Sequence, residues 1–519
     1  MKLLRKVGVV SAMTGISRIF GLVREVVMAH FFGTSTLQSA FVIAFRIPNL
    51  FRRLFGEGAL GAAFIPIFTE IEQREGRARA QLFVARILGL LVCVLGLLVG
   101  LGLLASFGVE RWCGEGSRWS EAMPLMRIML PYAVLICVAA ILSAMLNVHD
   151  RFAVPSLTPV VLNVVWIAVL VGVCPFLPAA GMWRIGAICW GILLAGVAQV
   201  LFQLPELRRV GYGLRLQFSG WFGSPYVRRV LLQMAPASLG IALAQINICL
   251  DGWLAFYGAR WAPSALEYAD RIIYLPLGLF GTAFATVLLP TYTRQFRAGQ
   301  SGEAMDTLAR ALRNLMLLML PMTVGLMLLA EPTVALIYQR GRFDAQSTVW
   351  TARAILAYAP GLLIFSANKV IAPLFYAQQD IRTPVKVASW CILGNVACNV
   401  LSVIFLPEGW RHAGIAASTV LSSLLNTVIL AILLARRGLC PGVGGLVVTL
   451  LQVGAAVAVM GGGLLLGSHL LPSTWPVVLR LPILAGVGMM LYGVAAPLFA
   501  RRAFAEFMAD LPFRRRRRA

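Results

Sequence analysis

The chain reads as an all-α polytopic membrane protein, and three observations predict this. Hydrophobic residues fill 59% of the 519 positions and charged residues only 13%, too few charges to solvate a soluble fold of this size. Apolar runs recur from end to end, many of them near the roughly 20 residues that cross a bilayer's hydrocarbon core. The sequence also repeats itself at a fixed offset. Together these predict about 14 transmembrane helices: two six-helix bundles related by a parallel internal repeat, plus two extra C-terminal helices.

The first span, 7–31, follows the basic segment Met1–Lys6 and lacks a small-residue cleavage motif, so it is read as retained. The second, 37–55, ends at Gly56-Glu57-Gly58, where a helix can bend. Apolar spans at 82–107, 124–147, 156–176 and 183–204 complete the first six. Polar residues interrupt the seventh and eighth, 230–257 and 268–292. Spans at 311–330, 350–376, 384–406 and 413–435 complete the second six, and those at 444–467 and 477–500 stand outside the repeat. The domain boundaries expected are 1–210, 225–437, 438–502 for the added pair and 503–519 for a basic cytoplasmic tail.

With a cytoplasmic N-terminus, Lys2, Arg5, Lys6, Arg74, Arg77, Arg151, Arg208, Arg209, Arg228, Arg229, Arg436 and Arg437 fall on one side. This is the positive-inside pattern, with both termini cytoplasmic. The formal charge of +24 is therefore a topology signal, and no nucleic-acid partner is expected. Arg514–Arg518, after the amphipathic stretch Phe504–Phe513, suit anionic lipid at about 1 kcal/mol per residue. The nine cysteines form no CxxC pair and no metal-spaced cluster with histidine, so neither disulfide nor metal is expected. His30, His149, His412 and His469 are scattered near helix ends and are read as structural or interfacial.

The repeat is specific. Pro131 opens a span ending in Asn147-Val148-His149-Asp150-Arg151-Phe152-Ala153-Val154-Pro155, and 229 positions later Pro360 opens one ending in Tyr376-Ala377-Gln378-Gln379-Asp380-Ile381-Arg382-Thr383-Pro384. Six intervening spans give both halves one orientation, the arrangement from which alternating-access transporters are built.

Cations inside the apolar segments carry the functional signal. Arg18 and Arg24 lie within the first span, Arg46, Arg52 and Arg53 within the second, and Arg271 and Lys369 much later. An arginine costs a few kcal/mol or more at mid-membrane unless it faces water or an anionic partner. The planar guanidinium donates two parallel hydrogen bonds to a phosphate and keeps its charge at cellular pH. Arg18, Arg24, Arg46, Arg52, Arg53 and Arg271, converging from different helices, therefore suit a diphosphate, with Asn49 and Lys369 beside them. Glu25, Glu57 and Asp270 are expected to pair with them when the site is empty, Glu25 sharing a helical face with Arg18. Asp251, with Asn395 and Asn399 one turn apart, forms a fainter candidate cation site of oxygen ligands. Asparagines of this kind also serve as interhelical hydrogen-bond links.

The segments Ser17-Arg18, Gly21-Leu22-Val23-Arg24-Glu25, Phe45-Arg46-Ile47-Pro48-Asn49-Leu50-Phe51-Arg52-Arg53, Gly56-Glu57-Gly58-Ala59 and Phe64-Ile65-Pro66 resemble the N-terminal signature of the MurJ (MviN) lipid II flippases. So do Tyr268-Ala269-Asp270-Arg271 and Gln379-Asp380-Ile381-Arg382-Thr383-Pro384. The resemblance implies a member of the multidrug/oligosaccharidyl-lipid/polysaccharide exporter superfamily in a bacterial inner membrane. Such a protein moves the undecaprenyl-diphosphate-linked peptidoglycan precursor to the outer leaflet by alternating access. It also implies that Arg18, Arg24, Arg52 and Arg271 line a central cavity, and that the two added helices form a groove for the polyprenyl tail. Several members carry an aspartate where this chain has Ser39 and a glutamate where it has Tyr274, so any role of those carboxylates does not transfer.

The partners expected are the lipid-linked precursor, membrane lipids and cell-wall synthesis machinery. No cofactor is expected, apart from a coupling cation of unknown identity. No Walker motif is present, so transport without covalent chemistry is the expectation. The alternatives are another exporter of the superfamily, whose drug antiporters would favour acidic cavities, and a non-transporting scaffold or lipid-sugar glycosyltransferase. A glycosyltransferase would need catalytic carboxylates in large outer loops, and here the outer loops are short.

Overall fold

The computed structural model describes residues 2–510 except 57–58, 115–116, 222, 279–281 and 473. Glu57 and Arg514–Arg518 lie outside the described residues. All regular structure among the described residues is helical. The chain divides into two compact units, Met1–Ser264 and Ala265–Ala519.

The first unit holds α1 (Lys2–Phe32), α2 (Thr36–Phe51), α3 (Ala59–Glu75), α4 (Arg77–Cys113), α5 (Arg118–Met129), α6 (Tyr132–Val148), α7 (Ala153–Gly172), α8 (Trp183–Arg209) and α9 (Pro225–Gly258). Ser35 caps α2, its hydroxyl accepting the Gln38 N–H. Pro48 is accommodated inside α2, and one turn later Arg52–Gly56 widen into a single π-helical turn that packs on α6. Such turns cluster where a helix is shaped for function. α1 packs on α7, α7 and α6 on α8, and α9 on α2, α3 and α4. Phe64, Phe68 and Phe83 stack at the α3–α4 seam. Phe41 and Phe45 meet Trp166 of α7 edge to face.

α10 (Ala262–Pro276) starts in the first unit and ends in the second. The second unit continues with α11 (Thr282–Arg297), α12 (Ser301–Leu328), α13 (Ala330–Tyr338), α14 (Ala345–Tyr358), α15 (Gly361–Ala377), α16 (Arg382–Phe405), α17 (Glu408–Arg436), α18 (Val443–Leu470), α19 (Val477–Phe499) and α20 (Arg501–Asp510). α18 packs on α12 and α19 on α13. Gly463 makes the α18–α19 pairing close: a Cβ there would lie 2.0 Å from Leu491 Cδ1. The amphipathic stretch expected from Phe504 onward is helical in α20, which docks on α12 through Glu506 and Arg313, 2.8 Å apart.

Nine segments among the described residues are long and apolar enough to cross a membrane. A tenth is α14 with α15, bent by 43° at Ala359–Pro360. The expected span 350–376 is thus not one straight helix, because Pro360 offers no N–H to continue the helical ladder. The other four expected spans, 7–31, 37–55, 230–257 and 268–292, run through α1, α2, α9 and α10–α11.

The repeat is written in the backbone. α6 and α15 are each 17 residues long and begin and end 229 positions apart. Leu130 and Ala359, two positions before them, have φ/ψ of −55°/−42° and −55°/−41°. The corners after them match as well: Asp150 and Gln379 take φ of 62° and 61°. The Arg151 N–H donates to Leu146 and the Asp380 N–H to Phe375, both at 2.9 Å. This is a Schellman closure used twice. Each corner is tied to the end of a later helix, with opposite polarity. Arg151 pairs with Glu206 of α8 at 3.3 Å. In the second unit Asp380 pairs with Arg437, just past α17.

Candidate functional site

Arg24 is the most enclosed of the predicted cations, only 8% exposed on α1. Its Nη2 donates to the Glu25 carboxylate and its Nη1 to Asn163 Oδ1 on α7 at 3.1 Å. Its guanidinium carbon sits 4.2 Å from the centroid of the Trp166 ring. Asn163 is held in turn through Nδ2, which donates to the Ser17 carbonyl at 3.4 Å. Arg24 Nε is buried with no acceptor in the structure, a donor left available. The carboxylate, the amide and the aromatic face lower the cost of keeping this charge in an apolar helix.

Glu25, expected to pair with the arginines of this set, is held by Arg24, and Arg18 is exposed. Arg46 is half-buried and donates from Nη1 to the Ile248 carbonyl of α9. It lies flat on Gly252, where a Cβ would be 1.9 Å from that nitrogen. Asn49, Arg52 and Arg53 are half-buried, the two arginines opening the π-helical turn.

In the second unit, Arg271 is half-exposed and donates from Nη2 to Glu267 Oε1 at 2.7 Å. Glu267 lies one turn earlier on the helix, and Asp270 is half-buried. Lys369 is half-buried on α15, whose Asn368 donates to Asn426 Oδ1 at 3.2 Å. Asn399 Nδ2 donates to Asn395 Oδ1 at 3.0 Å, both residues buried. Asp251, in the first unit, accepts from Asn247 at 3.3 Å. Among the described residues no group of three or more His, Cys, Asp or Glu has metal-binding geometry. Ser39 is fully buried and donates to Ser264 Oγ at 3.0 Å, while Tyr274 is exposed.

Sequence reasoning missed Asn163, Trp166, Ile248 and Gly252 as the residues that hold Arg24 and Arg46. Asn163 carried a signal, as a lone amide within an apolar span. The role of the Ile248 carbonyl had none.

The helical fold and its enclosed arginines define a multi-pass membrane protein of the transporter type. The family model for "Lipid II flippase MurJ" matches residues 28–486. The chain is 34% identical over 469 residues to the lipid II flippase MurJ of Burkholderia cenocepacia, covering 89% of each. It is 35% identical over 443 residues to the probable lipid II flippase MurJ of Vibrio cholerae, covering 83% of this chain and 82% of that one. Among solved structures it resembles a lipid II flippase MurJ in an inward closed conformation, with TM-score 0.77 and 23% identity over 95% of this chain and 98% of that one. A MATE family multidrug resistance transporter of the MOP superfamily shares the fold at TM-score 0.67 and 15% identity, over 83% of this chain and 97% of that one. The chain belongs to the MurJ lipid II flippase family.

Proposed function

We propose that this protein is a lipid II flippase of the bacterial inner membrane, with both termini cytoplasmic. It carries the diphosphate-linked peptidoglycan precursor to the outer leaflet by alternating access, without covalent chemistry. The observation that carries the site assignment is Arg24. Its charge is retained inside an apolar helix by Glu25, Asn163 and Trp166, and one guanidinium donor remains without an acceptor. Such a group is poised for an anion whose own charge cannot enter hydrocarbon unneutralised. In this reading Arg18, Arg24 and Arg52 of the first unit engage the diphosphate, and Arg271 of the second unit is a further candidate ligand. Arg46, Asn49, Arg53, Glu57, Asp270 and Lys369 tune that field.

Glu25 and Glu267 act as internal counter-ions that the substrate's phosphates replace. The membrane potential acts on the cationic residues with about 2.3 kcal/mol per charge per 100 mV. Asp251 in the first unit and the Asn395–Asn399 pair in the second are separate candidates for oxygen ligands of a coupling cation.

The test is replacement of a bacterium's resident flippase by this protein, with Arg18, Arg24, Arg52 and Arg271 changed to alanine one at a time. The unmodified chain supports growth and outward delivery of the precursor, and the Arg24→Ala chain does not at matched expression. Growth with all four alanine variants overturns the site. Failure of the unmodified chain overturns the substrate.

A further inference from the structure

A polar node in the first unit lies outside the arginine set. His149, at the C-terminal end of α6, sets Nδ1 2.8 Å from the Met145 carbonyl oxygen and Nε2 3.0 Å from Glu72 Oε1 on α3. Tyr212, in the α8–α9 connector, donates its hydroxyl to the same carboxylate oxygen. The Tyr212 and Phe68 rings flank the imidazole at 5.3 and 6.0 Å, and the His149 and Glu72 side chains are 17% and 22% exposed.

The hydrogen bonds fix the proton count. A carbonyl oxygen only accepts, so Nδ1 carries a hydrogen. An imidazole protonated there alone would turn its Nε2 lone pair on a carboxylate oxygen, and two acceptors at that distance repel. Every contact is satisfied when one further proton lies between Nε2 and Glu72. We infer that the His149–Glu72–Tyr212 node is a proton-binding site that clamps the C-terminal end of α3 to the α6–α7 corner.

Losing that proton releases α3, whose other end follows the π-helical turn carrying Arg52 and Arg53. The clamp is closed in acid and opens as pH rises, because the closed form binds one proton more. The neighbouring charges are these. On α3, Glu70 pairs with Arg74 and Arg229, and Glu75 accepts from Tyr226. Arg77 of α4 stands 5.8 Å from the Tyr212 ring. At the corner itself, Arg151 is held by Glu206, and Asp150 precedes it. Burial first, then Glu72, push the Tyr212 phenol up, so it stays a donor. At the repeat position of His149 the second unit has Gln378, an amide that cannot titrate.

The test uses the full chain in lipid nanodiscs with spin labels at Gln73 and Ala153, both exposed. Double electron–electron resonance then follows the α3-to-corner distance from about pH 5.5 to about 8.5, the range in which imidazole changes charge. In the parent the closed-to-open ratio falls by up to about tenfold per pH unit where the proton leaves. His149→Gln removes that pH dependence, and His149→Lys stays closed throughout. Should His149→Gln not fold, Glu72→Gln serves, since its amide can donate to a neutral imidazole. A parent distance unchanged across the range, or the same shift in the Gln variants, overturns the proposal. The readout is independent of the substrate carried.

Discussion

Asp150 and Gln379 stand 229 positions apart and share one left-handed backbone conformation, φ 62° and 61°. Among the described residues they are the non-glycine positions with positive φ. A residue with a Cβ is strained there by about 1 kcal/mol or more, and aspartate, which bonds locally, less than glutamine. Gln379→Gly is expected to raise the melting temperature in detergent, and Asp150→Gly to raise it less. Valine at either position lowers it.

Trp166 faces the Arg24 guanidinium at 4.2 Å. Trp166→Leu removes an interaction of about 1–2 kcal/mol at a desolvated site while keeping an apolar side chain. The expected outcome is a roughly five- to thirtyfold loss of affinity for a diphosphate lipid, with Trp166→Phe intermediate. Native mass spectrometry of lipid-bound protein checks this.

Gly252 leaves room for Arg46 to reach the Ile248 carbonyl. Gly252→Ala displaces that guanidinium and should cost about 1.5–3 kcal/mol, the range for a hydrogen bond to a charged group. In an Arg46→Ala background the same substitution should cost little. A double-mutant cycle on thermal stability reads the difference, and additive effects would refute the coupling.

Asp380 is held low, to about 2, first by its hydrogen bond from Arg437 and next by Thr383. A carboxylate with a depressed folded-state pKa stabilises above its ordinary value near 3.9 and loses that stabilisation as pH falls through the folded value. The melting-temperature gap between the parent and Asp380→Asn should therefore hold steady from pH 7 down to about 5. It should then close between about 4 and 2. A gap unchanged at pH 2 would contradict the Arg437 tie.

Much of the fold was legible because helical spans declare themselves locally. A run of apolar residues and the prolines at 131 and 360 locate α6 and α15, and the family signature located Arg24. What was not legible depended on tertiary approach. Asn163 and Trp166, which hold Arg24 together with Glu25, were missed because α7 brings them from 139 and 142 positions away. Glu267, one turn before Arg271, was not read as its partner, because the sequence reading looked only to the neighbouring Asp270. His149 read as a bland helix-end histidine because Glu72 and Tyr212 reach it from distant parts of the chain.

The opposite polarity of the two corner ties bears on how a duplicated chain assembles. Were Arg151 and Arg437 brought together, or Asp380 and Glu206, like charges would meet and the wrong pairing would be rejected. A nascent chain that contains nearly the same corner twice can thus sort its own helix ends during insertion, with two reversed charges serving as the address.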